Sequence, residues 1–391
     1  MNSAAGQPYR VESIHAIDPA AWNQYCADNP FINWHFFAAL EDSGACVNDS
    51  GWQPHHWRMD DANGQFRAAL PCYLKNHSHG DYVYDWGWAR ALASAGLNWY
   101  PKLVTAVPYS PVTCRRLLCA NDDSAAADAL LAAMRETCDS NDYTTAQVLF
   151  PTPAEHDCLE RNGFILRRDW LQFHWHNRGY SEFADFLAVM RHKKRKRIRQ
   201  ERQRLHQAGY HCRWVDAATA SADEHALAHR CYTRTFRQYG NLPVLNADFF
   251  IQLGAAQPGR LWYCIASDSQ HCDLASAIYL RSDEVLYGRY WGALEDIPGM
   301  HFEVCYYQGI EFCLQHGLKR FEPGVQGEHK VSRGFLPAAS YSAHYFSHPQ
   351  VARAARQWLN DEQDWMSRYR QEILLHSPYH PEVTDDLLAI G

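Results

Sequence analysis

Hydrophobic and polar positions along the chain switch between two periods, and the switches divide it into strands, helices and breaks. Trp34 to Leu40 has the spacing of a short helix, and Gly51 to Asp61 holds a strand or loop rich in Trp and His. Phe66 to Leu74 alternates as a strand, and Asp81 to Trp88 predicts a second, aromatic one. Gly96, Pro108 and Pro111 break the region that follows into loops. Ser124 to Cys138 is Ala/Leu-rich at helical spacing, Ala146 to Phe150 reads as a buried strand stopped by Pro151 and Pro153, and Arg167 to Trp175 as one more strand.

Ser181 to Leu205 predicts one long helix. Phe183, Leu187, Met190, Ile198 and Leu205 fall on a narrow stripe that Lys194 and Glu201 interrupt. A strand over Tyr210 to Val215 and a helix over Ala222 to Tyr239 come next. Leu261 to Ala266, Leu274 to Arg281 and Val285 to Trp291 predict three consecutive strands. A helix from His301 to His316 closed by Gly317, short strands at Arg320 to Glu322 and Tyr341 to Phe346, and a terminal helix Val351 to Leu375 complete the order. Tyr73-Leu74-Lys75 and Trp86-Gly87 recur as Tyr279-Leu280-Arg281 and Trp291-Gly292 at nearly the same spacing. The recurrence predicts two similar α/β units, each with a strand pair ending in Trp-Gly.

Composition narrows the class. Apolar residues make up 47% of the 391 positions and charged residues 21%, a globular balance. The 13 cysteines are scattered without a Cys-x-x-Cys pair, which argues for a reducing compartment and against a zinc ribbon. No segment reaches the roughly 18 apolar residues of a membrane span, so a soluble cytoplasmic protein is expected. The 22 histidines include pairs at His55/His56, His77/His79 and His174/His176, but neither His-Glu-x-x-His nor a Cys/His quartet occurs, and no metal is expected. A Gly-x-Ser-x-Gly elbow and a Walker loop are absent too.

Charge is concentrated. The net charge is −7, yet Arg191 to Arg204 holds nine Lys/Arg against one acid, Glu201. Such a run in an acidic protein points to a polyanionic partner, with Lys194, Arg195, Arg197 and Arg199 as candidate anion ligands. The densest chemistry lies in Glu322-Pro323-Gly324-Val325-Gln326-Gly327-Glu328-His329-Lys330, followed by Arg333-Gly334-Phe335. A glycine-punctuated loop after a strand presents a candidate proton acceptor, Glu328 or His329, and candidate stabilisers of negative charge, Lys330 and Arg333. Leu286 to Gly292, with Arg289, Tyr290 and Trp291, feeds the helix carrying His301 and Glu303 and forms a third constellation.

Taken in order, the chain resembles the FemAB-like family of peptidoglycan biosynthesis/recognition proteins. The resemblance covers most of the chain. It runs from Asn98-Trp99-Tyr100-Pro101-Lys102-Leu103 through Gln172-Phe173-His174-Trp175, the basic run, Leu286 to Gly292 and His301-Phe302-Glu303 to Gln326-Gly327-Glu328-His329-Lys330. It implies an α/β (α+β) chain of two tandem GNAT-like units, each a mixed sheet flanked by helices. These are expected at 1–180 and 181–391, the second with the basic linking helix and the terminal helix.

The resemblance also implies transfer of an acyl group onto an amine, in the better-understood relatives an aminoacyl group from charged tRNA, without a cofactor. Lys330 is then expected to stabilise the oxyanion, and Glu328 or His329 to take the amine's proton. Arg195, Arg197 and Arg199 would hold the donor's phosphates. Lys102, Arg289, Tyr290, Trp291, His301, Glu303 and Gln326 would contact substrate, with Tyr290 and Trp291 walling the acceptor pocket. Between Trp291 and His301 there is no Gln/Arg-x-x-Gly-x-Gly/Ala run to cradle a pyrophosphate, which weakens acyl-CoA as donor. A CoA-dependent N-acyltransferase and a non-catalytic binder of nucleic acid or peptidoglycan precursor are the alternatives.

Overall fold

The structure is a computed structural model that describes residues 6–83, 85–168, 171–325 and 327–384. The chain forms two units. One comprises 1–170 and 340–367, the other 171–339 and 368–391.

Strands β1 (Tyr9–Val11), β2 (Trp52–Pro54), β3 (His56–Asp60), β4 (Phe66–Leu70), β5 (Cys72–Lys75), β6 (Lys102–Thr105), β7 (Thr145–Leu149) and β8 (Ile165–Arg168) belong to the first unit. The second unit holds β9 (Gln172–His176), β10 (His211–Asp216), β11 (Leu261–Ser267), β12 (Asp273–Arg281), β13 (Val285–Ala293), β14 (Arg320–Glu322) and β15 (Leu336–Ala338). The chain then returns to the first unit with β16 (Tyr341–Phe346).

Among the described residues, the first unit's main sheet runs β2-β5-β6-β7-β16-β8, beside a small sheet β1-β3-β4. The second runs β10-β11-β12-β13-β14-β9-β15. In both, one parallel pair (β6/β7 and β13/β14) separates antiparallel strands on either side. In both, the strand next to that pair is one remote in sequence: β16 lies between β7 and β8, and β9 between β14 and β15. A cut at 180 is therefore corrected. Gln172–His176 is a strand of the second sheet and Tyr341–Phe346 a strand of the first, because each sheet is completed by hydrogen bonds to a segment from beyond the midpoint.

Half of the predicted repeat survives. Tyr73-Leu74-Lys75 lies on β5 and Tyr279-Leu280-Arg281 on β12, the strands preceding each parallel pair. Trp291 sits on β13, but Trp86 opens the helix Trp86–Ser94 and is exposed, so among the described residues of 81–88 no strand forms. The aromatic run there has a different cause: Trp88 and Trp99 are core rings packed edge to face, and Val83 is buried. The predicted long helix also breaks, into Phe183–Ala188 and His192–Gln207. Met190 is fully buried and bridges to Tyr379, while Arg191 N–H donates to the Pro378 carbonyl, so the stripe turns inward between the two.

Each sheet carries a packed helix. Ser124–Ser140, capped by the Asp123 side chain on Ala126 N–H, presses Leu130, Leu131 and Met134 against Leu103, Ala146 and Val148. Ala222–Gln238, opened by a Ser221/Glu224 capping box, lies against β12 and β13. It comes so close that a Cβ on Gly292 would stand 2.0 Å from the Cys231 carbonyl oxygen, which is why this strand position carries no side chain. No helix among the described residues is long and apolar enough to cross a membrane.

A buried ionic cluster anchors the first unit. Lys102 on β6 is 0% exposed, and its ammonium donates to Asp81 at 3.1 Å, Asp85 at 2.5 Å, Ser78 at 3.0 Å and Gln147 at 3.1 Å. Burial pushes the Asp85 carboxyl up, but the Lys102 charge outweighs it and leaves Asp85 well below the usual carboxylate range. Lys102→Met would leave both carboxylates without the ammonium bonded to them, with, among the described residues, only the Lys75 charge nearby. A loss of about 3–5 kcal/mol is expected, measured by urea denaturation; a loss below about 1 kcal/mol would show that the cluster is solvated.

Candidate active site

The second unit places the sequence's chemical residues where its parallel pair opens. β13 and β14 are matched from Val285↔Arg320 to Tyr287↔Glu322, and there β14 ends while β13 continues to Ala293. At the same point β13 carries a bulge: Tyr279 faces Gly288 and Ile278 faces Tyr290, leaving Arg289 as the extra residue. A bulge re-aims side chains and interrupts the ladder. Past it, Tyr290 packs against Tyr232, Phe236 and Phe250 on the helix side of the sheet, whereas Trp291 lies 4.4 Å from the His301 ring. The two aromatics therefore do not wall one pocket. Successive strand residues point to opposite faces, and Tyr290 belongs to the core side.

Opposite β13 stands the loop after β14. Gly327, at φ 117°, adopts a backbone that a side chain would strain, and a Cβ there would meet the His329 ring at 2.4 Å. It starts a single 3₁₀ segment, Glu328–Arg333. This turn buries Lys330 and Arg333 and leaves Glu328 and His329 exposed. Lys330 is 3% exposed, and among the described residues its Nζ has one hydrogen-bond partner, the Gly324 carbonyl at 2.7 Å. An ammonium has three donors, so two remain for a ligand oxygen. Gln326 lies outside the described residues.

The third wall is the helix after β13, which passes through a π turn at Glu303–Tyr307 between Met300–Phe302 and Gln308–Gln315. The His301 ring centroid lies 5.8 Å from that of His329, and Tyr306 Oη bonds His329 Nε2 at 2.8 Å. Phe302 supports the Arg333 guanidinium 3.3 Å above its ring. The two terminal nitrogens of Arg333 are engaged at this spot, donating to the His329 carbonyl at 3.0 Å and to Glu201 at 3.1 Å. It holds the turn rather than a ligand.

Electrostatics set distinct protonation states. Burial pulls Lys330 down to about 7, and Arg289 adds to the effect, with Cys305 opposing it. Burial, then His329, Lys330 and Arg333, pull His301 down to about 3, so its imidazole is neutral near pH 7. His329, exposed on one side only, is lowered by partial desolvation and then by Lys330 and Arg333. A cation that gives up its proton near neutrality therefore stands beside two neutral imidazoles. Paired shifts of this kind are typical of catalytic sites.

The basic helix His192–Gln207 is tied to the same turn by Glu201, the one acid in the run. Its carboxylate accepts from Arg333, from Arg197 at 2.9 Å and from the Tyr307 hydroxyl. Lys193, Lys196, Arg199 and Arg204 are exposed. Lys194 is half-buried, and the half-buried Arg195 donates to the Ala188 carbonyl at 3.3 Å, satisfying the end of the preceding helix. Arg202 grips Glu303 at 2.9 Å and Glu311 at 2.7 Å, so Glu303 is committed to the helix-to-helix link. Between these helices a cavity of about 490 Å³ has an apolar floor of Phe183, Leu187, Leu205 and Met300, and Arg199 on its wall.

The predicted residues thus separate. Lys330, His329, His301, Trp291 and Arg289 surround the opening, with Arg333 behind them. Glu328 is turned outward, where it accepts from the Tyr369 hydroxyl. Lys102 is sealed in the first unit. Tyr306 and Glu201 are the residues the sequence reading missed, although an acid alone among nine cations was a visible signal. Among the described residues, no three His, Cys, Asp or Glu side chains converge as a metal site requires.

The first unit is closed differently among the described residues. Its loop after β6 is buried, and fully buried Arg116 donates to the Leu149 carbonyl at the end of β7 (2.8 Å) and to the Val112 carbonyl (2.9 Å). Glu155 accepts from the Arg116 and Leu117 amides. The end of β7 is covered by the chain itself.

Two mixed sheets of one pairing pattern define a duplicated GNAT-like fold. The chain belongs to the FemAB-like family, described as peptidoglycan biosynthesis/recognition, which it matches over residues 13–381. With that membership comes the reaction class, transfer of an acyl or aminoacyl group. Solved structures of similar fold include FemX (9% identity, 87% of this chain and 97% of that one, TM-score 0.52). L-PGS from Bacillus licheniformis is similar at 10% identity over 83% and 96% of the two chains, with a TM-score of 0.50. The C-terminal domain of a putative lysylphosphatidylglycerol synthetase from Agrobacterium fabrum gives 11%, 88%, 96% and 0.53. No curated protein matches the chain.

Lys330 links stability to pH. An unfolded lysine titrates near 10.4, so between about pH 7 and about pH 10.4 the unfolded chain holds a proton that the folded chain has released. Stability then rises with pH across that window and is lowest below it. Lys330→Met removes this contribution. The variant is expected to be more stable than wild type at pH 6.5 relative to the same comparison at pH about 10, by an amount on the order of 4 kcal/mol. Denaturation curves with parallel pH dependence in both proteins would place Lys330 in water.

Proposed function

We propose that the opening between β13 and β14 is the active site and that its donor is an aminoacyl ester on a polyanion, charged tRNA, passed to an amine of a cell-wall precursor. In this reading the amine nitrogen attacks the ester carbonyl. The N–C bond forms, and the tetrahedral oxyanion takes the two unused N–H donors of protonated Lys330. The amine's proton passes to a neutral imidazole, His329 or the neighbouring His301, and then to the departing ribose oxygen as the C–O bond breaks. Trp291 and Arg289 flank the acceptor, and the exposed Lys193, Lys196 and Arg199 follow the donor's phosphates.

The observation that carries the reading is Lys330. A nearly inaccessible ammonium with a single carbonyl partner costs stability, and a transferase has use for it as a charge that acts in the transition state. Glu201 adds support by bracing the turn against the anion-binding helix. The loop from Leu294 to Gly299 disfavours CoA: Glu295 and Asp296 are exposed there and Pro298 lacks an N–H. Two carboxylates repel a pyrophosphate.

Incubation with charged tRNAs and with acyl-CoAs, followed by assay of the released acyl group, tests the donor directly. Loss from tRNA alone is expected. Lys330→Met is expected to lower turnover on the order of 100- to 1,000-fold, with donor affinity changed less than about tenfold. Since the cation must be protonated, kcat/KM of wild type is expected to fall as pH rises through about 7. Lys330→Arg should move that fall to higher pH. A Lys330→Met variant that loses binding and transfer in equal proportion would make Lys330 a recognition residue.

A further inference from the structure

A second charged surface of the second unit is used by none of this chemistry. Arg230, Arg234 and Arg237 lie at i, i+4 and i+7 on the helix Ala222–Gln238, which puts them on one face, and all three are exposed. Among the described residues, none of them has a carboxylate or hydrogen-bond partner. The helix's own acids, Asp223 and Glu224, are in its first turn, at the far end from Arg237. Immediately beyond Arg237 the chain leaves the helix with two large apolar side chains in water: Tyr239 is 73% exposed and Leu242 79% exposed.

With Leu375, these two are the most exposed large hydrophobics of the second unit among the described residues. A loop tip built on Gly240, Asn241 and Pro243 has no structural need of a Tyr and a Leu pointing outward, since Leu245, Phe249 and Phe250 already supply its core contacts. Stripe and tip are continuous in the chain, cations first and apolar groups at the end.

We propose that this arginine stripe and the apolar loop tip that follows it, Tyr239 and Leu242, dock together on an anionic lipid bilayer. Charge complementarity draws the arginines to the headgroups, and Tyr239 and Leu242 enter the boundary between headgroups and acyl chains. A nucleic acid would satisfy the arginines but leave Leu242 in water, and so accounts for only part of the surface. The inference stands apart from the active-site reading, because none of these residues belongs to that site.

Co-sedimentation of the full chain with vesicles tests it. Binding is expected to phosphatidylcholine vesicles containing about 30 mol % phosphatidylglycerol, and not to phosphatidylcholine alone. Changing Arg230, Arg234 and Arg237 together to Gln should weaken binding about a hundredfold, from roughly fivefold per arginine at an anionic surface. Tyr239→Ser with Leu242→Ser should weaken it at least about tenfold. All five side chains are on the surface, so melting temperatures should stay within a few degrees of wild type and exclude misfolding as the cause.

Three outcomes would overturn the proposal. One is absence of binding to the anionic vesicles at low salt. Another is full binding by the Tyr239/Leu242 variant, which would reduce the face to an electrostatic patch and favour a nucleic acid. The third is loss of binding only when Lys193 and Lys196 are changed to Gln, which would assign the bilayer to the basic helix instead.

Discussion

The candidate site depends on a single carboxylate. Glu201 stands in the most cationic stretch of the chain, and three donors meet on it: Arg197 from its own helix, Tyr307 from the π turn, and Arg333 from the turn that buries Lys330. Without it, Arg333 and the basic helix would repel one another and Arg333 would keep a buried charge without a counter-ion. The attraction of one acid for two guanidinium groups thus sets the spacing between the anion-binding surface and the reactive turn. Charge-assisted bonds to a partly buried carboxylate are strong enough for that work.

Lys330 shows the opposing tendency. Its burial raises the free energy of the folded protein at neutral pH, and the turn tolerates it because Gly327, the aromatic rings of Phe302 and Tyr306, and the Arg333 bonds define the surrounding backbone from several sides. A buried arginine in the first unit illustrates the alternative. There the Arg116 guanidinium donates to the Leu149 and Val112 carbonyls and to the Cys114 sulfur.

How much of this was legible in the sequence follows from the range of the forces involved. Local periodicity located β4, β7, β11, β12, β13 and the helices packed on them, because burial of one face writes itself into neighbouring residues. The motif Gln326 to Arg333 stood out because glycine, histidine and cations crowded together have few structural uses. The roles of its members were less visible. Glu328 and His329 are adjacent, yet one turns out toward Tyr369 and the other toward Tyr306, a difference fixed by contacts across 41 and 23 residues of chain. Tyr290 and Trp291 look alike in sequence and are parted by strand alternation just past the bulge. Lys102 resembled a substrate ligand, but its partners Asp81 and Asp85 come from one segment and Gln147 from β7. The bulge at Arg289 leaves no mark in composition.

The return of β16 to the first sheet has a consequence for how the protein comes into being. During synthesis β7 and β8 emerge early, yet the strand that hydrogen-bonds to both of them begins at Tyr341, after the whole of the second unit's sheet has been made. Until then the nascent first unit has two facing strand edges with open backbone donors and acceptors, the kind of edge that recruits stray strands. Contacts of such long sequence separation also close slowly. The protein should therefore acquire its first half last, and a ribosome-bound chain stopped before residue 341 presents a vacant slot that chaperones, or a neighbouring chain's β16, would be the first to fill.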